Sequence, residues 1–485
     1  MSERTQIPEA EIENQKKIMR LVRESMQERA VPPLAYIDTY GCQQNESDSE
    51  KLRGMLAEMS YGFTSDEFKA DVIIINTCAI RENAENRVYG NVGALVHTKK
   101  AKKSQIIVFC GCMAGVPEIV EKIRQSYEHV DIVFSPGVLW RFPQLLYSAL
   151  ESKGTVPPLS EDTPGGRPRH ARKKGRIFET DAGEDAIAEG IPAHRDGAVK
   201  AWLPVMYGCD NYCAYCIVPY VRGRERSRKP EDILSEARQL IADGYKDITL
   251  LGQNVNSYDP AFPELIRRIN EIEGDFLIRF MTSHPKDASD GLFRAMAESV
   301  KAARHIHLPF QAGSDRILKL MNRGYTAEEY LGKIAAAREL MPDIVITSDV
   351  IVGFPGETAE DFEDTLRLVE AAQFEAMFTF IYSKRPGTPA AKMEDTVSRE
   401  EKQERFDRLL DMQNAISDEK HAAYIGKTLK VLVDELSHDE RYPLKARTNG
   451  GRLVHLLGSP ELIGSFENAR ITHANSWSLF AEYAF

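Results

Sequence analysis

Seven cysteines stand at positions 42, 78, 110, 112, 209, 213 and 216 of the 485-residue chain, and none follows Cys216. Three of them, Cys209, Cys213 and Cys216, form a Cys-x3-Cys-x2-Cys run in YGCDNYCAYC. Thiolates so close in sequence can hold one metal centre from a single loop. A structural zinc normally takes a fourth protein ligand, and no histidine or further cysteine follows closely. Three ligands instead suit a 4Fe-4S cluster with one iron left open. Cys42, Cys78 and Cys112 lie far apart, so only folding can make them one ligand set. Cys110 reads as a small buried apolar residue at a strand end.

The elements that must position these residues can be read from periodicity. Within 34–150, strand-like AYIDTY, DVIIINT and QIIVF alternate with helical NESDSEKLRGMLAEM and RENAENRVYGNVGALV. Such alternation predicts a parallel α/β sheet. Each of the three strands is followed by one cysteine, Cys42, Cys78 or Cys112, where open parallel sheets build their sites. Residues 1–33 read as an N-terminal extension and 151–198 as a linker, with the basic run 163–176 followed by acidic 179–190. That basic run is either a solvated tether or a nucleic-acid contact. Within 199–423, six further strand candidates separated by helices predict a partial or full α/β barrel. Polar or glycine residues gather at its strand ends. Residues 424–485 carry short strand-like runs with glycine turns and predict a small antiparallel β-barrel.

Lys plus Arg is 62 against 73 Asp plus Glu, a net charge of −11. Bulk electrostatic attachment to nucleic acid or membrane is thereby disfavoured, and any anionic partner must meet a local basic surface. One such run is VPYVRGRERSRKP, with Arg222 and Arg224; it is either a solvated face or a phosphate contact. No apolar run reaches the ~18–20 residues that cross a bilayer. The charged N-terminus has no signal-peptide core. A cytoplasmic protein without a membrane partner is expected, and in that compartment a disulfide framework is not.

The motifs TYGCQQNESDSE, INTCAIRENAENRVYGNVG, YGCDNYCAYCIVPYVRGRERSR, LPFQAGSDRILKLMNRGYT, SDVIVGFPGET and YSKRPGTPAA resemble the methylthiotransferase branch of the radical S-adenosylmethionine (SAM) enzymes over nearly the whole chain from residue 34. The resemblance implies two 4Fe-4S clusters, one on Cys209, Cys213 and Cys216 and an auxiliary one on Cys42, Cys78 and Cys112. It implies SAM contacts at Tyr215, Gln311, Arg323 and Asp349. Gln253 and Ser283 face the same barrel mouth, and Gly353 and Gly356 could let backbone approach the adenine. For each of these an ordinary rim polar or turn is the alternative. The last segment resembles a TRAM domain through LKARTNGGRLVHLLG, with Lys445, Arg447 and Arg452 as RNA contacts or, alternatively, as part of a packing cap.

The implied activity is 2-methylthiolation of N6-isopentenyladenosine next to the anticodon of tRNA, by hydrogen abstraction at C2 and methylthio transfer. A base in a single-stranded loop can be splayed into a pocket without opening a duplex. Implied partners are the tRNA anticodon stem-loop, a flavodoxin- or ferredoxin-type electron donor, and iron–sulfur assembly or sulfur-carrier proteins. Sister enzymes acting on threonylcarbamoyladenosine or on a ribosomal-protein aspartate share the cluster residues. A non-catalytic iron–sulfur RNA-binding scaffold is the reading from another class.

Overall fold

The computed structural model describes residues 6–79, 82–158, 175–180, 186–195 and 197–484. The basic run expected as linker falls almost wholly outside them. Contacts divide the chain into two compact units: Met1–Asp196 with Tyr207–Asp210 and Cys216–Arg226, and Gly197–Met206 with Asn211–Tyr215 and Ser227–Phe485.

In the first unit, β1 (Leu34–Thr39), β2 (Gly62–Phe63), β3 (Val72–Thr77), β4 (Ile106–Gly111), β5 (Ile132–Phe134) and β6 (Ile177–Glu179) form one parallel sheet in the order β2-β1-β3-β4-β5-β6. Every residue of β3 and β4 is buried, as in a parallel sheet covered on both faces. Helices α1 (Glu9–Gln27), α2 (Gln43–Glu58) and α5 (Phe142–Ser152) pack Val22, Leu56 and Leu146 with Ile74 and Val108. On the other face α3 (Glu82–Ala101), α4 (Pro117–Ser126) and α6 (Val218–Arg222) pack Val92, Ile123 and Val221 with Ile73 and Phe109. Two expectations change here. The N-terminal extension supplies core through α1. The segment expected as linker supplies β6, because its Ile-Phe pair can extend the sheet edge next to β5.

In the second unit, β7 (Lys200–Pro204), β10 (Asp247–Leu251) and β11 (Leu277–Phe280) form one parallel sheet. Strands β12 (His305–His307), β13 (Val345–Val352) and β14 (Ala376–Ile381) form a second. The two-residue strands β8 (Met206–Tyr207) and β9 (Arg226–Ser227) pair with each other. Helices α7 (Pro230–Ala242), α8 (Phe262–Asn270), α9 (Asp290–Glu298), α10 (Asp315–Leu320), α11 (Ala327–Leu340), α12 (Ala359–Ala372) and α13 (Arg399–Ala422) alternate with or follow these strands. This is the expected α/β barrel, in split form. Helices α11, α12 and α13 open on capping boxes, Thr326/Glu329, Thr358/Asp361 and Ser398/Glu401, which fix where each loop at the strand ends stops.

Strands β15 (Thr428–Leu436), β16 (Leu444–Thr448), β17 (Leu453–Leu457), β18 (Phe466–Ala474) and β19 (Leu479–Tyr483) close into a barrel in the order β15-β16-β17-β19-β18. It departs from a purely antiparallel barrel at one seam, β17–β19, which is parallel. Closing there leaves no free edge. Gly450 lies so close to β13 that an added Cβ would stand 2.2 Å from Val345 Cγ2. The terminal barrel thus sits against the strand starts of the α/β barrel, opposite the ends where the expected site residues lie.

Candidate active site

Because β1, β3 and β4 are neighbours and parallel, their C-terminal ends bring Cys42, Cys78 and Cys112 to one edge of the first unit. Cys42 is the N-cap of α2. Asn45 Oδ1 lies 3.8 Å from Cys42 Sγ and 3.9 Å from Cys112 Sγ. Gly41, at φ +120°, leaves room for the third: an added Cβ would stand 2.9 Å from Cys78 Sγ. Cys110 is turned away. Along β4, Ile106, Val108 and Cys110 face one core and Ile107 and Phe109 the other. Gly111, at φ +87°, breaks that alternation and swings Cys112 to the opposite core from Cys110. Burial pushes the Cys110 thiol well up, as does the nearby Asp48.

A polar network unusual for a helix start supports this edge. Asn45 Nδ2 donates to the carbonyls of Tyr40 and Thr77, both at 2.8 Å, so one side chain ties the loops that carry Cys42 and Cys78. Asn76 Nδ2 donates to Asn45 O and Ser49 Oγ. Arg222, expected on an RNA surface, is instead buried here. Its Nε lies 3.3 Å from Cys112 Sγ, and its Nη2 donates to Asn45 Oδ1 and Asp48 Oδ2 at 2.9 Å each. Burial raises the Cys112 thiol, the Arg222 guanidinium opposes that, and nearby Cys42 and Asp48 add to the rise. Among the described residues no three His, Cys, Asp or Glu side chains close on a point as ligands of a single metal ion do. Cys42, Cys78 and Cys112 are free thiols at these strand ends, with the Arg222 guanidinium behind one of them.

Of the radical-type motif, Cys209 and Cys216 belong to the first unit and Cys213 to the second. Cys209 N donates to Gly223 O, and exposed Arg224 makes a two-pronged ion pair with Asp210 at 2.7 and 3.0 Å. On the Cys213 side, Ala214 N donates to Met321 O, and Asn322 Nδ2 holds the carbonyls of Asn211 and Tyr212. Buried Arg323 reaches 3.3 Å from Cys213 Sγ and 3.4 Å from Tyr215 Oη, and donates to Pro309 O at 2.7 Å.

Around the barrel mouth, Gln253 follows β10, Ser283 follows β11, Gln311 follows β12, and Asp349 lies in β13. Gln311, at φ +70°, bridges to Val350, and Asp349 Oδ1 lies 3.4 Å from His307 Nε2. Ser283 Oγ and His284 Nε2 are buried polar atoms without a protein hydrogen-bond partner among the described residues. Burial, with Arg323 and Lys286 nearby, depresses His284 and keeps the ring neutral. Its Nδ1 accepts from Lys286 N, which assigns the proton to Nε2. A neutral donor and a hydroxyl left unpaired in a buried place suit the polar groups of a bound cofactor. Gly356 has open space beside it, whereas an added Cβ at Gly353 would stand 2.4 Å from Lys402 Cγ. The α13 side chain therefore covers Gly353 on that side.

The cations expected to bind RNA in the terminal barrel are engaged. Lys445 pairs with Glu435 at 2.9 Å, and Arg447 with Asp434 at 3.2 Å. Arg452 is buried between Glu375, at 3.6 Å, and the Tyr424 ring. Sequence reading passed over Asn45, Asp48, His284 and the 72% exposed Trp477. The first two stood in the quoted NESD run, but nothing local marks them as neighbours of cysteine sulfur.

Comparisons agree with this layout. Residues 203–369 match the radical SAM superfamily, 34–135 match "uncharacterized protein family UPF0004", and 422–484 match the TRAM domain. The tRNA-2-methylthio-N6-dimethylallyladenosine synthase of Acetivibrio thermocellus is 50% identical over 91% of this chain and 89% of its own. The enzyme of the same name from a Thermoanaerobacter species is 46% identical over 98% of both chains. Among solved structures, the radical SAM methyltransferase TsrM of Kitasatospora setae shares the fold, with a TM-score of 0.53 at 14% identity over 74% of this chain and 77% of that one. The three family matches and the near full-length identity place this chain in the radical SAM tRNA methylthiotransferase family of tRNA-2-methylthio-N6-dimethylallyladenosine synthases.

Proposed function

We propose that this chain converts N6-isopentenyladenosine beside the tRNA anticodon to its 2-methylthio derivative. The observation that carries the reading is the gathering of Cys42, Cys78 and Cys112 at one sheet edge in a chain that also holds Cys209-x3-Cys213-x2-Cys216. One 4Fe-4S cluster with SAM belongs to the radical SAM family; a second, auxiliary cluster is our assignment to the Cys42 trio. Bound together, a cluster with an open iron and SAM supply one-electron cleavage of a sulfonium carbon–sulfur bond, and hence hydrogen abstraction from unactivated carbon.

The chain's own residues do the rest. Arg323 fixes the Cys213 sulfur and the Tyr215 hydroxyl in a buried, water-poor setting. Ser283 Oγ and His284 Nε2–H offer a hydroxyl and a donor to the cofactor's polar groups, with Gln253, Gln311 and Asp349 along the same rim. Gly356 leaves space for a flat ring, while Gly353 acts by letting Lys402 pack close. The substrate is tRNA; its anticodon stem-loop is the part read here. The electron donor is a flavodoxin- or ferredoxin-type protein, and iron–sulfur assembly or sulfur-carrier proteins supply the auxiliary site. No helix among the described residues is long and apolar enough to cross a membrane, and the tRNA substrate argues for the cytoplasm.

The test is nucleoside mass spectrometry of tRNA incubated anaerobically with the protein, reductant and SAM. The 2-methylthio product is expected only from tRNA that already carries the isopentenyl group. Product from threonylcarbamoyladenosine tRNA instead would overturn the substrate assignment.

A further inference from the structure

Arg222 has two unusual neighbours: a sulfur of the Cys42 trio and the helix that begins at Cys42. It ends α6, six residues after Cys216, and its side chain is 5% exposed. Nε points at Cys112 Sγ at 3.3 Å, while Nη2 is held at 2.9 Å by both Asn45 Oδ1 and Asp48 Oδ2. Asp48, itself 8% exposed, is further fixed by Gln44 Nε2 at 3.1 Å. Backbone packing holds the helix in place too: an added Cβ on Gly115, three residues after Cys112, would stand 3.1 Å from Val221 Cβ. The guanidinium is thus held in place by Asn45 and Asp48. It is a fixed charge rather than a surface arginine.

We infer that Arg222 is a positioning residue that sets the reduction potential of the auxiliary centre, by donating a hydrogen bond to the Cys112 ligand sulfur and placing a buried positive charge beside it. The inference rests on the assignment of a 4Fe-4S cluster to Cys42, Cys78 and Cys112. One electron from an external reductant makes such a cluster more negative, with no protein bond made or broken. A donor and a cation at the ligand sulfur stabilise the reduced form and raise the potential. Burial keeps water from screening that charge. Asp48 has the opposite effect: it partly neutralises the guanidinium, so the pair sets the potential by difference. The same arrangement recurs at the other motif, where Arg323 stands 3.3 Å from Cys213 Sγ. Each trio therefore has one buried arginine against one of its sulfurs.

The test uses the full chain with Cys209, Cys213 and Cys216 all changed to alanine, so that only the Cys42 trio can hold iron. After anaerobic reconstitution, iron is counted and the cluster is titrated against solution potential, with its reduced form read by electron paramagnetic resonance. If this parent binds no iron, the auxiliary-cluster assignment fails, and the inference with it. With about four irons bound, Arg222→Met is expected to lower the reduced-to-oxidised ratio at fixed potential at least tenfold, about 59 mV for a one-electron couple. Asp48→Asn is expected to move the ratio the other way. Should Arg222→Met fail to retain iron, Asp48→Asn decides. Opposite shifts, or, where Arg222→Met holds no iron, a rise with Asp48→Asn, support the role; an unchanged ratio in iron-loaded Arg222→Met, an unchanged ratio in Asp48→Asn where it decides, or shifts of the same sign overturn it.

Discussion

Cys110 and Cys112 are two residues apart on one strand end, yet the structure gives them different work. Cys112 stands within reach of Asn45 and Arg222, and Cys110 lies in the core on the other side of the sheet. Cys110→Ala is therefore expected to keep both clusters and full product formation while costing about 1 kcal/mol of stability. In contrast, Cys42→Ala, Cys78→Ala or Cys112→Ala should lower bound iron from about eight to about four per chain. In these variants 5′-deoxyadenosine is still released, but methylthiolated nucleoside is lost. Cys213→Ala should abolish 5′-deoxyadenosine. Iron assay and chromatography of both products check the set, and 5′-deoxyadenosine persisting in Cys213→Ala would remove the radical role from that motif. Residue identity was legible for every one of these cysteines. The separation of Cys110 from Cys112 was legible only as a guess about packing, because it depends on the positive φ of Gly111.

At the scale of elements, the auxiliary edge depends on backbone approach as much as on ligands. Gly41 holds φ +120° between β1 and α2, and a Cβ there would be 2.5 Å from Cys78 Cβ. Gly41→Ala must both strain the backbone, at roughly 1–3 kcal/mol, and displace Cys78. The expected outcome is loss of about half the bound iron with 5′-deoxyadenosine formation intact, measured by iron assay and product chromatography. An alanine variant with full iron would show that the edge can relax. The strands and helices that create this edge were legible from β-branched runs and helical periodicity. Less so were α1 and β6. The buried Ile12, Ile18, Met19, Val22 and Met26 of α1 do recur at helical spacing, but which sheet face that helix covers, and the pairing of three-residue β6 beside β5, depend on a sheet built from distant residues.

For the molecule as a whole, charge holds elements together inside the protein as well as lying on its surface. Within the second unit, Arg279 pairs with Asp247 at 2.8 Å and donates to the carbonyls of Thr448 and Asn449 in the terminal barrel. Lys200 and Arg447 both meet buried Asp434. Arg279→Met should leave Asp247 unpaired and destabilise this unit by roughly 3 kcal/mol, seen as a lower denaturant midpoint. His305 lies at the same seam, pushed down to about 3 by burial and then by Arg279, His307, Arg452 and Arg447. It is neutral when folded and protonates when unfolded below its ordinary value of ~6.5. The stability it contributes is therefore present above that value and lost as pH falls, by up to about 1.4 kcal/mol per pH unit. His305→Asn should flatten the loss of denaturant midpoint between pH 7.5 and 5.5. An equally steep loss would assign the acid sensitivity elsewhere. Two of the arginines expected to meet RNA, Arg222 and Arg452, are already paired inside the protein.

The sequence by itself determined the chemistry. Two sets of three thiols, a barrel with polar strand ends and a terminal RNA-type barrel follow from residue types, spacings and motifs that survive without coordinates. Tertiary structure alone decided which charges lie beside those thiols. Arg222 and Arg452 read as surface cations because a run of arginines is normally solvated. Their burial depends on partners more than seventy residues away, Asp48 and Glu375. Hydrogen bonds and ion pairs between such distant positions leave no periodicity in the chain, and the cation behind Cys112 could be found only by folding it.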